Sequence, residues 1–247
     1  MLHMLDLCSG IGGISLAAEW AGIKTVGFVE INPFCQKVLN KHWPNVPIFP
    51  DIKTLTGGDL RSAGIKRIDI MAAGYPCQPY SNSGERKGSE DDRAIWPYIF
   101  ARIQEIRPRW FIGENVAGHV SLGLDDVLSD LESDGYTCQS FIIPACAVGA
   151  YNKRDRVFIV SNSDSKRMER GFTQQVLGKS NLQVRQVSQS FQEAERRFNT
   201  FESRLCRSLH GLPGGVDRVR SLGNAVNPYQ IYPILKAIAD IEEGWIA

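Results

Sequence analysis

Residues 4–13 read Met4-Leu5-Asp6-Leu7-Cys8-Ser9-Gly10-Ile11-Gly12-Gly13, a short apolar run that breaks into a glycine-rich turn. Met4–Leu7 predicts a buried strand, and the residues after the turn predict a helix to about Ala21. A strand feeding a helix through such a turn opens a βαβ unit. The helix N-terminus there offers free amides, and the missing side chains let a ligand approach the backbone. The pattern is not G-x-G-x-x-G, because the third glycine follows at once, at Gly13. That spacing suits a ligand less centred on phosphate than a dinucleotide.

Outward from this turn, short apolar runs alternate with amphipathic ones over the first 160 residues, the pattern of an α/β fold around a mostly parallel sheet. Strands are expected at Thr25–Val29, Val46–Phe49, Ile68–Ala73, Trp110–Gly113, Thr137–Pro144 and Arg156–Val160. Helices are expected from Asn32-Pro33 to about His42, at Ala94–Ile106, at Leu124–Ser133 and, entered through Gly223-Asn224, at Ala225–Ile241. Asn32 is a helix cap with proline in the first turn.

A chain of 247 residues, 43% hydrophobic, suits one large α/β domain or one domain with a modest insertion. The net charge of +1 gives no global signal for nucleic acid or membrane, but its distribution does. Residues 162–220 carry 11 Lys/Arg against 6 Asp/Glu, a footprint suited to phosphates. The same segment is polar and poor in apolar residues, and reads as an irregular insertion. The six cysteines form no C-x-x-C pair and lie near no paired His, so neither zinc nor a disulfide framework is expected. No apolar run approaches about 18 residues, and no basic flank with an apolar stretch opens the chain. A soluble protein of a reducing compartment is expected.

Successive strand ends carry chemistry. Glu30 closes the second strand, where a carboxylate can accept from ribose hydroxyls. Asp51 follows the third, placed to accept from an adenine amino group. Together with the glycine turn they favour an adenosine ligand. The fourth strand runs into Gly74-Tyr75-Pro76-Cys77-Gln78-Pro79-Tyr80-Ser81, which puts the Cys77 thiol where open α/β sheets bind ligands. Glu114-Asn115-Val116 follows the fifth strand, and Arg154-Asp155-Arg156 leads into the last. Taken singly, Glu114 could cap a turn, the arginines could form a surface ion-pair strip with Asp155, and Asn224 could cap a helix.

Taken in order, DLCSGIGG (6–13), Glu30, Asp51-Ile52, GYPCQPYS (74–81), ENV (114–116), RDRVFIV (154–160) and SLGNAVNP (221–228) resemble the carbon-5 cytosine DNA methyltransferases over nearly the whole chain except 162–220. The resemblance implies a Rossmann-like S-adenosylmethionine-dependent methyltransferase fold. Its sheet would be mixed and seven-stranded, parallel except for a reversed strand near Arg156–Val160. A catalytic domain would comprise 1–161 and 221–247, with a small target-recognition region at 162–220. It further implies a cofactor site of Cys8, Gly10, Ile11, Gly12, Gly13, Glu30, Ile31, Asp51, Ile52, Pro76, Trp96, Asn224 and Val226, with Trp96 beside the methyl donor.

The chemistry so implied suits the residue types. Cytosine carbon 6 must be attacked to make carbon 5 nucleophilic, and a thiolate is suited to that conjugate addition. Only about 3% of an ordinary Cys is thiolate at pH 7, so cations at Arg154 and Arg156 would help Cys77. Arg156 would also hold the ring carbonyl, and Glu114, its pKa raised by burial so that it is protonated or becomes so with substrate bound, would engage ring nitrogen 3 and the exocyclic amine. The base must leave the duplex. Gln78–Ala94 reads as a loop that closes over it, with Gln78, Ser81, Ser83, Arg86, Lys87 and Arg93 facing DNA. The partner is double-stranded DNA. A cytoplasmic monomer of prokaryotic or phage origin is expected, without metal or membrane and with a restriction endonuclease as a candidate companion.

The chain departs from the family at Tyr151 and Asn152, where Pro-Gln is usual, at Cys8, where Phe is frequent, and in the shortness of 162–220. Two alternatives remain at this point. One is a catalytically silent remnant that binds DNA and cofactor. The other is the tRNA-modifying relative, whose Cys-Phe-Thr signature is missing from 199–206.

Overall fold

The computed structural model describes residues 1–76, 95–121, 123–150, 153–164, 176, 221 and 223–244. Among them, β1 (His3–Leu7), β2 (Lys24–Val29), β3 (Ile48–Phe49), β4 (Ile70–Gly74), β5 (Trp110–Val116), β6 (Thr137–Ile143) and β7 (Arg156–Asn162) form one sheet in the order β3-β2-β1-β4-β5-β7-β6. The first five are mutually parallel, and β7 runs antiparallel between β5 and β6. This is the expected mixed sheet with the expected reversed strand.

Strand residues alternate between two apolar layers, as pleating requires. Met4, Ile70, Ala72, Trp110, Ile112, Phe158 and Val160 face one side. There they meet Ile14, Ala17 and Ala18 of α1 (Gly13–Trp20) and Ile231, Ile234, Leu235 and Ile238 of α6 (Pro228–Glu242). Leu5, Leu7, Met71, Ala73, Phe111, Val157 and Ile159 face the other. They pack on Leu60 of α3 (Gly57–Ser62), Ile99 and Ile103 of α4 (Trp96–Ile106), and Leu124, Val127 and Leu131 of α5 (Leu124–Ser133). The first layer also holds Val176, 1% exposed, so at least one residue of the polar 162–220 segment is packed into the core. No helix among the described residues is long and apolar enough to cross a membrane.

Local chemistry accounts for the boundaries. In α2 (Pro33–His42), Asn32 Oδ1 accepts from the amides of Phe34 (2.8 Å) and Cys35 (3.4 Å), the cap that the sequence predicts. α3 was not anticipated. Its two leading glycines hide a capping box in which Thr56 and Asp59 satisfy each other's amides. The last helix starts at Pro228 rather than Ala225, because Asn227 Oδ1 accepts from Tyr229 N (3.0 Å) and ends the preceding segment. β3 shrinks to two residues. β5, by contrast, runs three residues beyond Gly113, since pairing with β7 continues through Val116↔Arg156. Glu114-Asn115-Val116 therefore belongs to the strand instead of following it.

Candidate active site at the carboxyl ends of the strands

The turn after β1 is held by its own backbone and by Glu30. Ser9 Oγ donates to the Asp6 carbonyl (2.6 Å), the Ser9 amide to the Val29 carbonyl (3.1 Å), and the Gly12 amide to the Ser9 carbonyl (2.9 Å). Glu30 receives the Gly10 amide on Oε2 and the Asn32 amide on Oε1, both at 2.7 Å. Its carboxylate thus ties the turn after β1 to the turn after β2.

The three glycines serve different ends. A Cβ on Gly10 would meet nothing within 4 Å, so only this one borders open space. One on Gly12 would lie 2.5 Å from the Trp43 ring, and one on Gly13 would lie 2.2 Å from the Val226 carbonyl oxygen. The crowding at Gly12 and Gly13 is met by protein.

Around this turn the field is negative. The Cys8 thiol, at φ 53°, is pushed up to about 12, first by burial and then by Glu30, Asp6 and Asp51. Cys8 is therefore a neutral thiol. Asp6 is fully buried, receives Ser15 Oγ at 2.6 Å, and has its pKa raised to about 7 by burial, with a smaller push from Glu30. Asp51 is half-buried and turns back on the Lys53 amide (2.9 Å), while Ile52 is buried in the core. Ile31 and Pro76 are exposed, Ile11 is half-buried, and Asn224 is exposed beside the half-buried Val226. Trp96 sits in the core. Its indole nitrogen donates to Asp130 Oδ2 (2.8 Å), and its ring packs on Tyr75, Phe100 and Phe111 with centroids 5.8–6.0 Å apart. These contacts fix the ring at the N-terminus of α4.

The second half of the site centres on Glu114. Strand register sets it opposite Gly74 at the end of β4. It is 7% exposed, and its Oε1 lies 2.9 Å from Arg156 Nε. Burial raises its pKa, and Arg156 followed by Arg154 opposes that rise. Arg156 also donates to the Asp155 carbonyl (3.0 Å). Arg154 takes a different direction. Its guanidinium donates to the carbonyls of Gly223 (two contacts at 3.0 Å) and Ala225 (2.7 Å). The two arginines, paired in the sequence reading as cations for one thiol, diverge in the fold.

Cys77 and the expected DNA-facing residues Gln78, Ser81, Ser83, Arg86, Lys87 and Arg93 lie outside the described residues, as do Tyr151, Asn152 and most of 162–220. Two further partners escaped sequence reasoning. Tyr75, two residues before Cys77, has its hydroxyl 2.9 Å from His119 Nε2, and Gln230 reaches the strand ends from α6. Neither pairing has a local signal, since each joins segments more than 40 residues apart.

The family model for the C-5 cytosine-specific DNA methylase matches residues 2–211. The chain belongs to this family. Among curated members it is 30% identical to the Type II methyltransferase M.HgiCII of Herpetosiphon aurantiacus over 64% of this chain and 36% of that protein. It is 29% identical to the Type II methyltransferase M.AquIA of a Picosynechococcus strain over 74% of this chain and 80% of that one. The match to the Type II methylase M.HgiEI, at 26% identity, covers 98% of this chain and 54% of that protein. The chain therefore spans well under two thirds of most of these relatives. Dnmt2 of S. pombe superposes with a TM-score of 0.53 at 25% identity, over 66% of this chain and 51% of that one. A Spodoptera frugiperda DNMT2 variant superposes with a TM-score of 0.56 at 23% identity, over 67% and 51%. The latter is a likeness of fold alone.

Proposed function

We propose that this methylase-family chain is a DNA (cytosine-5)-methyltransferase acting on a cytosine flipped out of duplex DNA. The observation that carries the proposal is the buried Glu114–Arg156 pair beside the end of β4, three residues before Cys77. A buried carboxyl whose pKa is raised can take up a proton once the base is bound and donate it to ring nitrogen 3, while the adjacent guanidinium donates to the ring carbonyl oxygen. The Cys77 thiolate adds to carbon 6, and the displaced π electrons spread over carbon 5, nitrogen 3 and the carbonyl oxygen that these two groups hold. After methylation at carbon 5, loss of the carbon-5 proton to a base expels the thiolate and restores the double bond. Removal of the base from the stack precedes all of this.

Members of the family draw the methyl group from S-adenosylmethionine. The turn fits that group on two counts: open space at Gly10 beside the amides of the turn, and the negative field of Glu30 and Asp51, suited to a cationic sulfonium. Bound there, the group supplies an electrophilic methyl. Cys8, Gly10, Ile11, Gly12, Gly13, Glu30, Ile31, Asp51, Ile52, Pro76, Trp96, Asn224 and Val226 are proposed to surround it. The catalytic domain is 1–161 with 221–247, and 162–220 is the target reader. Gln78, Ser81, Ser83, Arg86, Lys87 and Arg93 face the DNA, and the protein works in the cytoplasm.

Incubation with methyl-labelled S-adenosylmethionine and unmethylated duplex DNA tests the reading. Label recovered as 5-methylcytosine in DNA, and lost with Cys77→Ser, supports it. Label transferred to tRNA but not to DNA, or none transferred at all, refutes it.

A further inference from the structure

The C-terminal segment 223–226 reaches the site across the whole chain, and its seating is unusually tight. The Val226 carbonyl fills the space where Gly13 would carry a Cβ, and Val226 Cγ2 lies 3.2 Å from the corresponding point on Gly74. Glu114 Oε2 lies 3.5 Å from that same point. Segment 223–226 thus touches both halves of the site, the glycine turn and the end of β4.

Arg154 holds it there. Its guanidinium makes three contacts with the Gly223 and Ala225 carbonyls, and its backbone adopts φ 27°, a conformation that non-glycine residues avoid. The Arg154 carbonyl is in turn gripped by Gln230, which is fully buried in α6. Gln230 Nε2 donates both to that carbonyl (3.0 Å) and to the Ile143 carbonyl at the end of β6 (2.6 Å). At the other end, Ser221 Oγ lies 3.5 Å from Cys35 Sγ of α2. Two residues on from Arg154, Arg156 points to Glu114 instead.

We propose that Arg154 and Gln230 form a latch that holds segment 223–226 against the glycine turn and thereby sets affinity for the methyl donor. Arg154 is then a positioning residue for the cofactor half of the site, while Arg156 makes the direct contact with Glu114 in the cytosine half. The inference rests on the assignment of the glycine turn to S-adenosylmethionine. It departs from the sequence expectation that Arg154 joins Arg156 in favouring the Cys77 thiolate.

The test is calorimetric binding of S-adenosylhomocysteine to the full chain, wild type and variants, with thermal unfolding followed in parallel. Arg154→Ala removes three contacts to carbonyls from a charged donor and is expected to weaken binding by about tenfold or more. Arg154→Lys, with a single compact donor head, falls between it and wild type, and keeps the test open if the alanine variant does not fold. Gln230→Leu weakens binding in the same direction. The double variant is no weaker than the worse single one, because both changes open one latch. In steady state, Arg154→Lys raises KM for S-adenosylmethionine more than it lowers kcat. Variant dissociation constants within twofold of wild type overturn the latch, as does a change confined to kcat or to KM for DNA. Absence of binding by the wild-type chain itself overturns the cofactor assignment and the latch with it.

Discussion

Replacing Gly13 with alanine separates two reasons for a glycine in the turn after β1. The new Cβ would stand 2.2 Å from the Val226 carbonyl oxygen and 3.2 Å from its carbon, where ordinary contact begins near 3.4 Å. About 1.2 Å must be found by moving backbone, since no flexible side chain is there to yield. Overpacking of this kind costs about 1–3 kcal/mol. For a chain of this size each kcal/mol lowers the melting temperature by about 2–4 °C, so a fall of roughly 6–12 °C is expected at the upper end. Gly10→Ala is the control. It meets no atom within 4 Å but must hold φ +54°, which costs about 1 kcal/mol and roughly 2–4 °C. Its methyl projects instead into the space assigned to the methyl donor. Thermal unfolding by circular dichroism, paired with S-adenosylhomocysteine calorimetry, resolves the two. Gly13→Ala should be the less stable protein. The reasoning fails if Gly13→Ala melts with wild type, or if Gly10→Ala costs more stability than Gly13→Ala.

Two other outcomes follow from buried carboxyls. Asp6 has its folded pKa raised to about 7, so the folded state holds its proton more tightly than the unfolded chain does. Its contribution is therefore fully present below about pH 4 and is lost as pH rises toward 7, by roughly 4 kcal/mol as an upper bound. Asp6→Asn should flatten that decline and make the protein more stable than wild type at pH 8 in urea titrations; equal slopes of stability against pH in the two proteins would contradict this. Glu114→Gln removes the anion facing Arg156 in a pair that is almost wholly buried. Stability should drop by about 3 kcal/mol, and methyl transfer by about 100-fold or more. Transfer at the wild-type rate would remove Glu114 from the chemistry.

Local pattern carried the architecture of this protein. Short apolar runs marked the strands, Asn32-Pro33 marked a helix start, and the order of the glycine turn, Glu30, Asp51, Glu114 and the Arg154–Arg156 segment marked the strand ends that carry them. These are readable because each rests on residues within a few positions of one another: a turn needs its own glycines, and a cap needs its own side chain. The boundaries were less legible. β5 gained Glu114–Val116 because β7 pairs with it, and α3 formed on a capping box behind two poor helix formers.

What only the tertiary structure decided are the allegiances of individual side chains. Gly12 and Gly13 are small because Trp43 and the Val226 carbonyl lie against them. Trp96 is a core residue tied to Asp130, and Tyr75 is held by His119. Arg154, two residues from an arginine that faces Glu114, turns away to carbonyls 69 and 71 residues distant. A strand alternates its faces by geometry alone, so the sequence determined which residues lie at the sheet edge. Which of them meet is set by where the last helix docks, and a contact across that distance leaves no mark on the residues beside either partner.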